Sequence, residues 1–261
     1  MIEESGTDLA LIGSIGIGCP GTVNPTNGNI IFAPNLNLTN IPIGVRVSEG
    51  LKLPVYVEND ANNAELGEAM FGAAKRSRSS VTVTLGTGIG SGIVIEGKIY
   101  SGPFFGAGEL GHHVIHLNGE ACGCGQRGCW EAYSSATALI RDTVNGAQNN
   151  PNSIINSLAN GNLNAITAKT AFDGAIAGDN ISIGIVENYL DYLSAGLANI
   201  VNIIQPEIIV IGGGISGQGD SLIEAIEMRV ARRILGGDLK TRFVIAALGN
   251  DAGIIGAAML G

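Results

Sequence analysis

Positive charge is the first thing this sequence is short of. Lys and Arg supply 14 residues against 23 Asp and Glu, a net charge of −9, so nothing draws the chain generally to nucleic acid or to an anionic membrane. Long apolar runs are missing as well. The two longest, residues 9–19 and 201–211, are broken by glycines or by Gln205-Pro206-Glu207, too short and interrupted to cross a bilayer. Met1 is followed by Ile2-Glu3-Glu4, without the basic and apolar regions of a secretory signal. Together these absences predict a soluble cytoplasmic protein that binds neither nucleic acid nor membrane. Aromatic residues are scarce at 5% while hydrophobic residues reach 45%, so a core must be built from small aliphatic side chains rather than aromatic mass.

Glycine, by contrast, is abundant. It fills 40 of 261 positions, about twice the roughly 7% of an average globular protein. The triplet spacing of collagen is absent, and the hydrophobic content is too high for a disordered glycine-rich chain. What remains is α/β architecture with tight strand-to-helix turns, where backbone is brought close to a ligand. The length suits one large domain or two modest ones.

The pattern along the chain supports that class. Residues 9–18 read as a buried strand running into the turn Cys19-Pro20-Gly21, and residues 24–38, rich in Asn and Pro, read as a loop. A short strand at 54–58 ends at Asn59-Asp60, and 61–74 has helical composition. The basic cluster 75–80 marks a boundary, beyond which 81–85, 92–96 and 98–100 read as a meander. Residues 134–205 are mostly helical, with a long helix over 183–204. A strand at 207–211, a helix at 221–235, a strand at 243–248 and a helix at 252–260 follow. The expected division is an N-terminal lobe over 1–80, a C-terminal lobe over 81–245, and a final helix within 246–261 that packs back on the first lobe.

Several motifs carry chemistry. All three histidines and three of the four cysteines fall in residues 103–130. Cys122, Cys124 and Cys129 with one imidazole match the Cys3His set of a closed structural zinc site. His112, His113 and His116 are all within reach as the nitrogen ligand. A disulfide would strand one thiol of the cluster and conflicts with a reducing compartment.

Leu85-Gly86-Thr87-Gly88-Ile89-Gly90 lies between two strands, where consecutive amides and the Thr87 hydroxyl can wrap a phosphate. Residues 92–98 satisfy G-x-x-x-x-G-K, but Ile99 stands where Ser or Thr is required and the intervening residues are strand, so this is no P-loop. Residues 212–217 satisfy G-x-G-x-x-G, yet the acid about 20 residues on, Asp238, comes ahead of the next strand rather than at its end, which argues against a dinucleotide site. Asp60, at a strand-to-helix junction, suits either an N-cap or a base that takes a proton from a hydroxyl attacking ATP. Glu109 and Glu131 flank the cysteine cluster; each suits either a solvated surface acid or, held by a rigid zinc loop, a grip on vicinal hydroxyls.

Glu58-Asn59-Asp60-Ala61-Asn62, the 85–90 turn, Gly108-Glu109-Leu110-Gly111-His112 and Cys122-Gly123-Cys124-Gly125-Gln126-Arg127-Gly128-Cys129-Trp130-Glu131 resemble, in order, the ROK family of bacterial sugar kinases and sugar-responsive repressors. The resemblance implies an actin-like ATPase (ribonuclease H-like) fold, with two lobes around a cleft where sugar and ATP meet. It implies an ATP-dependent kinase for a hexose or N-acetylhexosamine, with Mg-ATP as co-substrate and zinc as a structural metal, assembling as a homodimer or tetramer. The other function it offers is the sugar-sensing domain of a repressor. By the resemblance Asp60 is the catalytic base. Asn35, Asn59, Glu109, His112 and Glu131 hold the sugar with it. Thr87 and Gly88 meet ATP phosphates, and Gly213 and Gly214 the adenosine side. His112, Cys122, Cys124 and Cys129 are the zinc ligands.

One element of the family pattern is missing: an opening hairpin carrying Asp-x-Gly-x-Thr. The same gap follows from comparing the halves. Residues 15–21 and 209–214 both run a strand into a glycine turn, but only the second is preceded by a glycine-rich meander. The expectation is an N-terminally incomplete chain with its sugar and zinc sites present, an unpaired strand edge and compromised turnover.

Overall fold

The computed structural model describes residues 6–33 and 36–261. The described chain divides into two compact units. The first comprises residues 1–82, 91–108 and 246–261, the second residues 83–90 and 109–245.

In the first unit, strand β1 (Ile15–Cys19) pairs in parallel with β5 (Val55–Asn59), with Ile15 opposite Val55 and Cys19 opposite Asn59. A separate antiparallel sheet is made by β2 (Thr22–Asn24), β3 (Asn29–Ala33) and β4 (Leu38–Ile41). Two expectations are corrected here. Residues 9–11 form a 3₁₀ turn rather than strand, because Asp8 Oδ1 accepts the Ala10 amide at 3.0 Å and starts a turn. The described residues of 24–38 are not all loop, since β3 and the first residue of β4 fall among them. Asn24 and Asn27 build only the tight connection, their side chains accepting the Thr26 and Asn29 amides at 2.9 and 3.0 Å, while Ile30 and Ala33 enter the core. That core joins Cys19, Val23, Ile30, Ala33 and Val57, each burial contributing roughly 1–3 kcal/mol.

Helix α1 (Ile43–Leu51) precedes β5, and α2 (Asp60–Phe71) follows it directly. Helix α9 (Ala252–Ala258) packs against α2 through glycine: a Cβ on Gly256 would stand 1.7 Å from the Asn63 carbonyl oxygen. The buried Glu68 carboxylate ties the same segments together, accepting the amides of Ala247 at 3.2 Å and Leu248 at 2.8 Å. One turn earlier on α2, the fully buried Glu65 accepts the hydroxyls of Ser80 and Thr82.

Strands β6 (Ser79–Leu85), β7 (Ile89–Ile95) and β8 (Lys98–Ile99) continue as the meander, with β9 (Ile208–Gly212) and β10 (Arg242–Ile245) completing a sheet of order β10-β9-β6-β7-β8. In the second unit the helices α3 (Glu131–Ser134), α4 (Ala136–Asn149), α5 (Ile154–Leu158), α6 (Ala168–Ile176) and α7 (Asn180–Ile204) precede β9 in sequence, and α8 (Asp220–Ala231) lies between β9 and β10. The long α7 is capped by Asp179, whose carboxylate accepts the Ser182 amide at 2.9 Å. Its buried stripe includes Val186, Leu190, Leu193 and Leu197, the spacing of a helix with one apolar face. Trp130 is fully buried against Gly196 of this helix and donates its indole N–H to the Tyr192 carbonyl at 3.1 Å. That anchor holds the Cys129–Glu131 segment in place. Among the described residues no helix is long and apolar enough to cross a membrane.

Candidate active site

In the first unit the site begins where β5 turns into α2. Position alone left Asp60 as an N-cap or a reactive acid. The cap is Asn59, whose Oδ1 accepts the amides of Ala61 at 2.8 Å and Asn62 at 3.1 Å. Its Nδ2 donates to the Gly21 carbonyl at 3.0 Å and so fixes the turn after β1. Asp60 is exposed, and among the described residues its carboxylate accepts the neighbouring Ala61 amide alone, at 2.9 Å. Beneath it, the buried Glu58 carboxylate accepts the Asn59 amide at 2.8 Å, the Asn62 side-chain amide at 3.0 Å and the Ser101 hydroxyl at 3.2 Å. Sequence reasoning assigned no role to Glu58 or Ser101, which lie 43 positions apart and are joined only by the fold. Cys19 sits beside this turn, and burial together with the Asp60 charge raises its thiol pKa. Asn35 lies outside the described residues.

In the second unit the structure brings His112, Cys122, Cys124 and Cys129 together, their ligand atoms all within 4.8 Å of one another. His112 Nδ1 is 3.6 Å from Cys122 Sγ, and Cys124 Sγ is 3.6 Å from Cys129 Sγ. The other histidines are engaged elsewhere. His113 Nδ1 meets the Leu110 carbonyl and its ring lies 5.3 Å from Trp130, and burial lowers its pKa. His116 Nδ1 meets the Tyr133 hydroxyl at 3.2 Å. Three soft thiols and one imidazole converging at this spacing fit a tetrahedral zinc ion, and the cysteines are free rather than paired in disulfides. Glu109 precedes the 3₁₀ turn Leu110–His112 and is exposed.

The turn between β6 and β7 lies in the same unit. The Ala136 amide donates to the Gly86 carbonyl at 2.8 Å, and the Thr137 hydroxyl to the Thr87 carbonyl at 2.7 Å. Glu131 Oε2 accepts the Ile89 amide at 2.8 Å. Among the described residues the amides of Thr87 and Gly88 have no protein partner, which leaves consecutive donors for an anionic oxygen. Gly213 follows β9 with φ +82 and lies against Leu85, where a Cβ would meet the Leu85 carbonyl oxygen at 2.5 Å. Gly214 begins the 3₁₀ turn Gly214–Gln218. Thr137 was not singled out from sequence; its position two residues after the Ser135 cap of α4 is the one local signal.

Two pairs of parallel strands, an exposed acid after β5, free amides after β6 and a glycine turn after β9 make this an α/β protein with polar groups at its strand ends. A solved glucokinase from Streptomyces griseus, in complex with glucose and AMPPNP, matches this chain with a TM-score of 0.85 and 34% identity, over 99% of this chain and 83% of that one, and gives it the actin-like ATPase fold. The sequence model of the ROK family matches residues 1–261, and the chain belongs to that family. A glucokinase of Halalkalibacterium halodurans is 40% identical over 255 residues, 96% of this chain and 76% of that protein. A xylose repressor of Bacillus spizizenii is 32% identical over 253 residues, 96% of this chain and 61% of that protein.

Proposed function

We propose that the protein is an ATP-dependent sugar kinase acting on a hydroxyl of a hexose or N-acetylhexosamine. The observation that carries this reading is the division of labour at the start of α2: Asn59 caps the helix, and the Asp60 carboxylate next to it is exposed. Asp60 accepts the proton of the sugar hydroxyl as its oxygen bonds to the γ-phosphorus. The bond from that phosphorus to the bridging oxygen breaks, and ADP leaves. Mg²⁺ enters with ATP and offsets the phosphate charge.

Thr87 and Gly88 bind ATP phosphate oxygens through their free amides, and Gly213 and Gly214 border the adenosine. Glu109, His112 and Glu131 hold sugar hydroxyls, as do Asn35 and Asn59. Asn59 has one side-chain N–H left for this after its bond to Gly21. His112, Cys122, Cys124 and Cys129 would hold zinc, which would supply rigidity rather than Lewis-acid chemistry because all its ligands would come from the protein. Thiols that must stay reduced to bind it support a cytoplasmic location.

The glucokinase relatives at 36–40% identity support this reading. The likeness to xylose repressors supports a second one, a sugar-sensing domain. Sugar-dependent ADP release separates the two: a kinase produces ADP with its sugar, whereas a sensor binds the sugar without turnover.

A further inference from the structure

Glu131 links two features that the proposed function treats separately. One oxygen, Oε2, accepts the Ile89 amide at 2.8 Å. The other, Oε1, accepts the Cys122 thiol at 3.6 Å; that proton leaves when Cys122 ligates a metal, so the tie to the loaded cluster is the Cys129–Glu131 backbone. The carboxylate also fills the space beside Gly88, where a Cβ would stand 2.2 Å from Oε2. Its own backbone follows Cys129 and the buried Trp130 directly, so the cluster loop and α7 fix where the carboxylate can be.

The turn it reaches is held at its carbonyls by Ala136 and Thr137. Glu131 supplies the hold on the amide side, next to the free donors of Thr87 and Gly88. Without that hold the turn is pinned only at Gly86 and Thr87 by these external bonds, and the residues after them are released from the metal loop.

We propose that Glu131 is a positioning residue that fastens the Thr87-Gly88 turn to the metal centre, so that the order of this turn depends on metal in the cluster. Naming the turn as the ATP phosphate site rests on the proposed function; the link itself does not. A sugar hydroxyl can still use the lone pairs of Oε1, so the same side chain serves sugar, turn and metal loop.

The test is hydrogen exchange at the Ile89 amide, read by NMR in the zinc-loaded full chain, after zinc removal by a chelator, and in Glu131→Ala and Glu131→Gln. The Val210 amide in β9 is the control for general loosening. Loss of one hydrogen bond predicts that Ile89 exchange rises roughly fivefold or more in Glu131→Ala with Val210 unchanged. Glu131→Gln keeps an acceptor oxygen and retains most of the protection. Chelation of the wild type raises Ile89 exchange, and chelation of Glu131→Ala adds little to what the substitution has done.

Unchanged Ile89 exchange in Glu131→Ala, or in wild type after zinc has left, would overturn the link, as would a chain that takes up no zinc. Should Glu131→Ala fail to fold, the chelated wild type and Glu131→Gln decide alone. ADP titration in the same samples separates this inference from the kinase reading. Lost Ile89 protection with no ADP binding by the wild type supports the link and overturns the kinase. ADP binding that is equal in wild type and Glu131→Ala, with Ile89 protection intact in both, overturns the link only.

Discussion

Asn59 caps helix α2 and Asp60, the next residue, does not. The Asn59 side chain accepts two amides of the first helical turn, while the Asp60 carboxylate stays exposed with one local bond. In the proposed function, stability and chemistry fall to adjacent residues that are each chemically able to cap a helix.

The first prediction follows from that division. Asn59→Ala removes the cap and the bond to Gly21, and lowers stability by about 1–2 kcal/mol, read as a lower urea midpoint. Asp60→Asn leaves the midpoint nearly unchanged and removes the proposed base, lowering kcat by roughly 10²–10⁴. Chemical denaturation and steady-state kinetics on both variants check the crossed pattern. Equal loss of stability in both would mean that Asp60 shares the cap.

The second concerns Glu65. Burial raises its carboxyl from an ordinary 4.5 to about 7, against the opposing effect of the Ser80 and Thr82 hydroxyls and with a smaller contribution from neighbouring Glu68. Between those values the folded chain holds a proton that the unfolded chain has released. The stabilisation from the neutral carboxyl is therefore complete below about pH 4.5 and lost as pH rises through 7. Its full size is on the order of 3 kcal/mol. Glu65→Gln, neutral at every pH, should flatten the fall in Tm between pH 5 and 8. A Tm profile with the same slope in wild type and variant would contradict this.

The third concerns the metal. Atomic absorption should find about one zinc per chain in the wild type, as four ligands make one closed tetrahedral site. Cys124→Ser should lose it, and Cys19→Ser, which removes a thiol outside the cluster, should keep it. Zinc retained by Cys124→Ser would dissolve the ligand assignment.

Much of the α/β pattern is legible in the sequence, and its failures have identifiable causes. The long α7 stands out because its apolar residues recur at helical spacing, and the β5-to-α2 junction because a short valine-containing strand ends at Asn59-Asp60 ahead of a run of helix formers. The sheet of β2, β3 and β4 was hidden by asparagines at 24, 27 and 29, which serve the turn and say little of the strands beside it. Helix α1 is not legible in the sequence, since Gly44 and Gly50 weaken its helical signal. Within the site, three histidines in five positions offered alternatives that spacing could not rank. The structure ranks them by giving His113 to Leu110 and His116 to Tyr133. Glu58 with Ser101 and Glu131 with Ile89 are bonds between residues 43 and 42 positions apart, and nothing in the local sequence marks such pairs.

The central claim is that this chain transfers phosphate from ATP to a sugar with Asp60 as base. A coupled ADP-release assay over a panel of hexoses and N-acetylhexosamines, with Asp60→Asn run beside the wild type, tests it most directly. The account predicts sugar-dependent ADP with at least one member of the panel and its loss in Asp60→Asn. ADP release with no sugar in the panel, or undiminished release by Asp60→Asn, would contradict it.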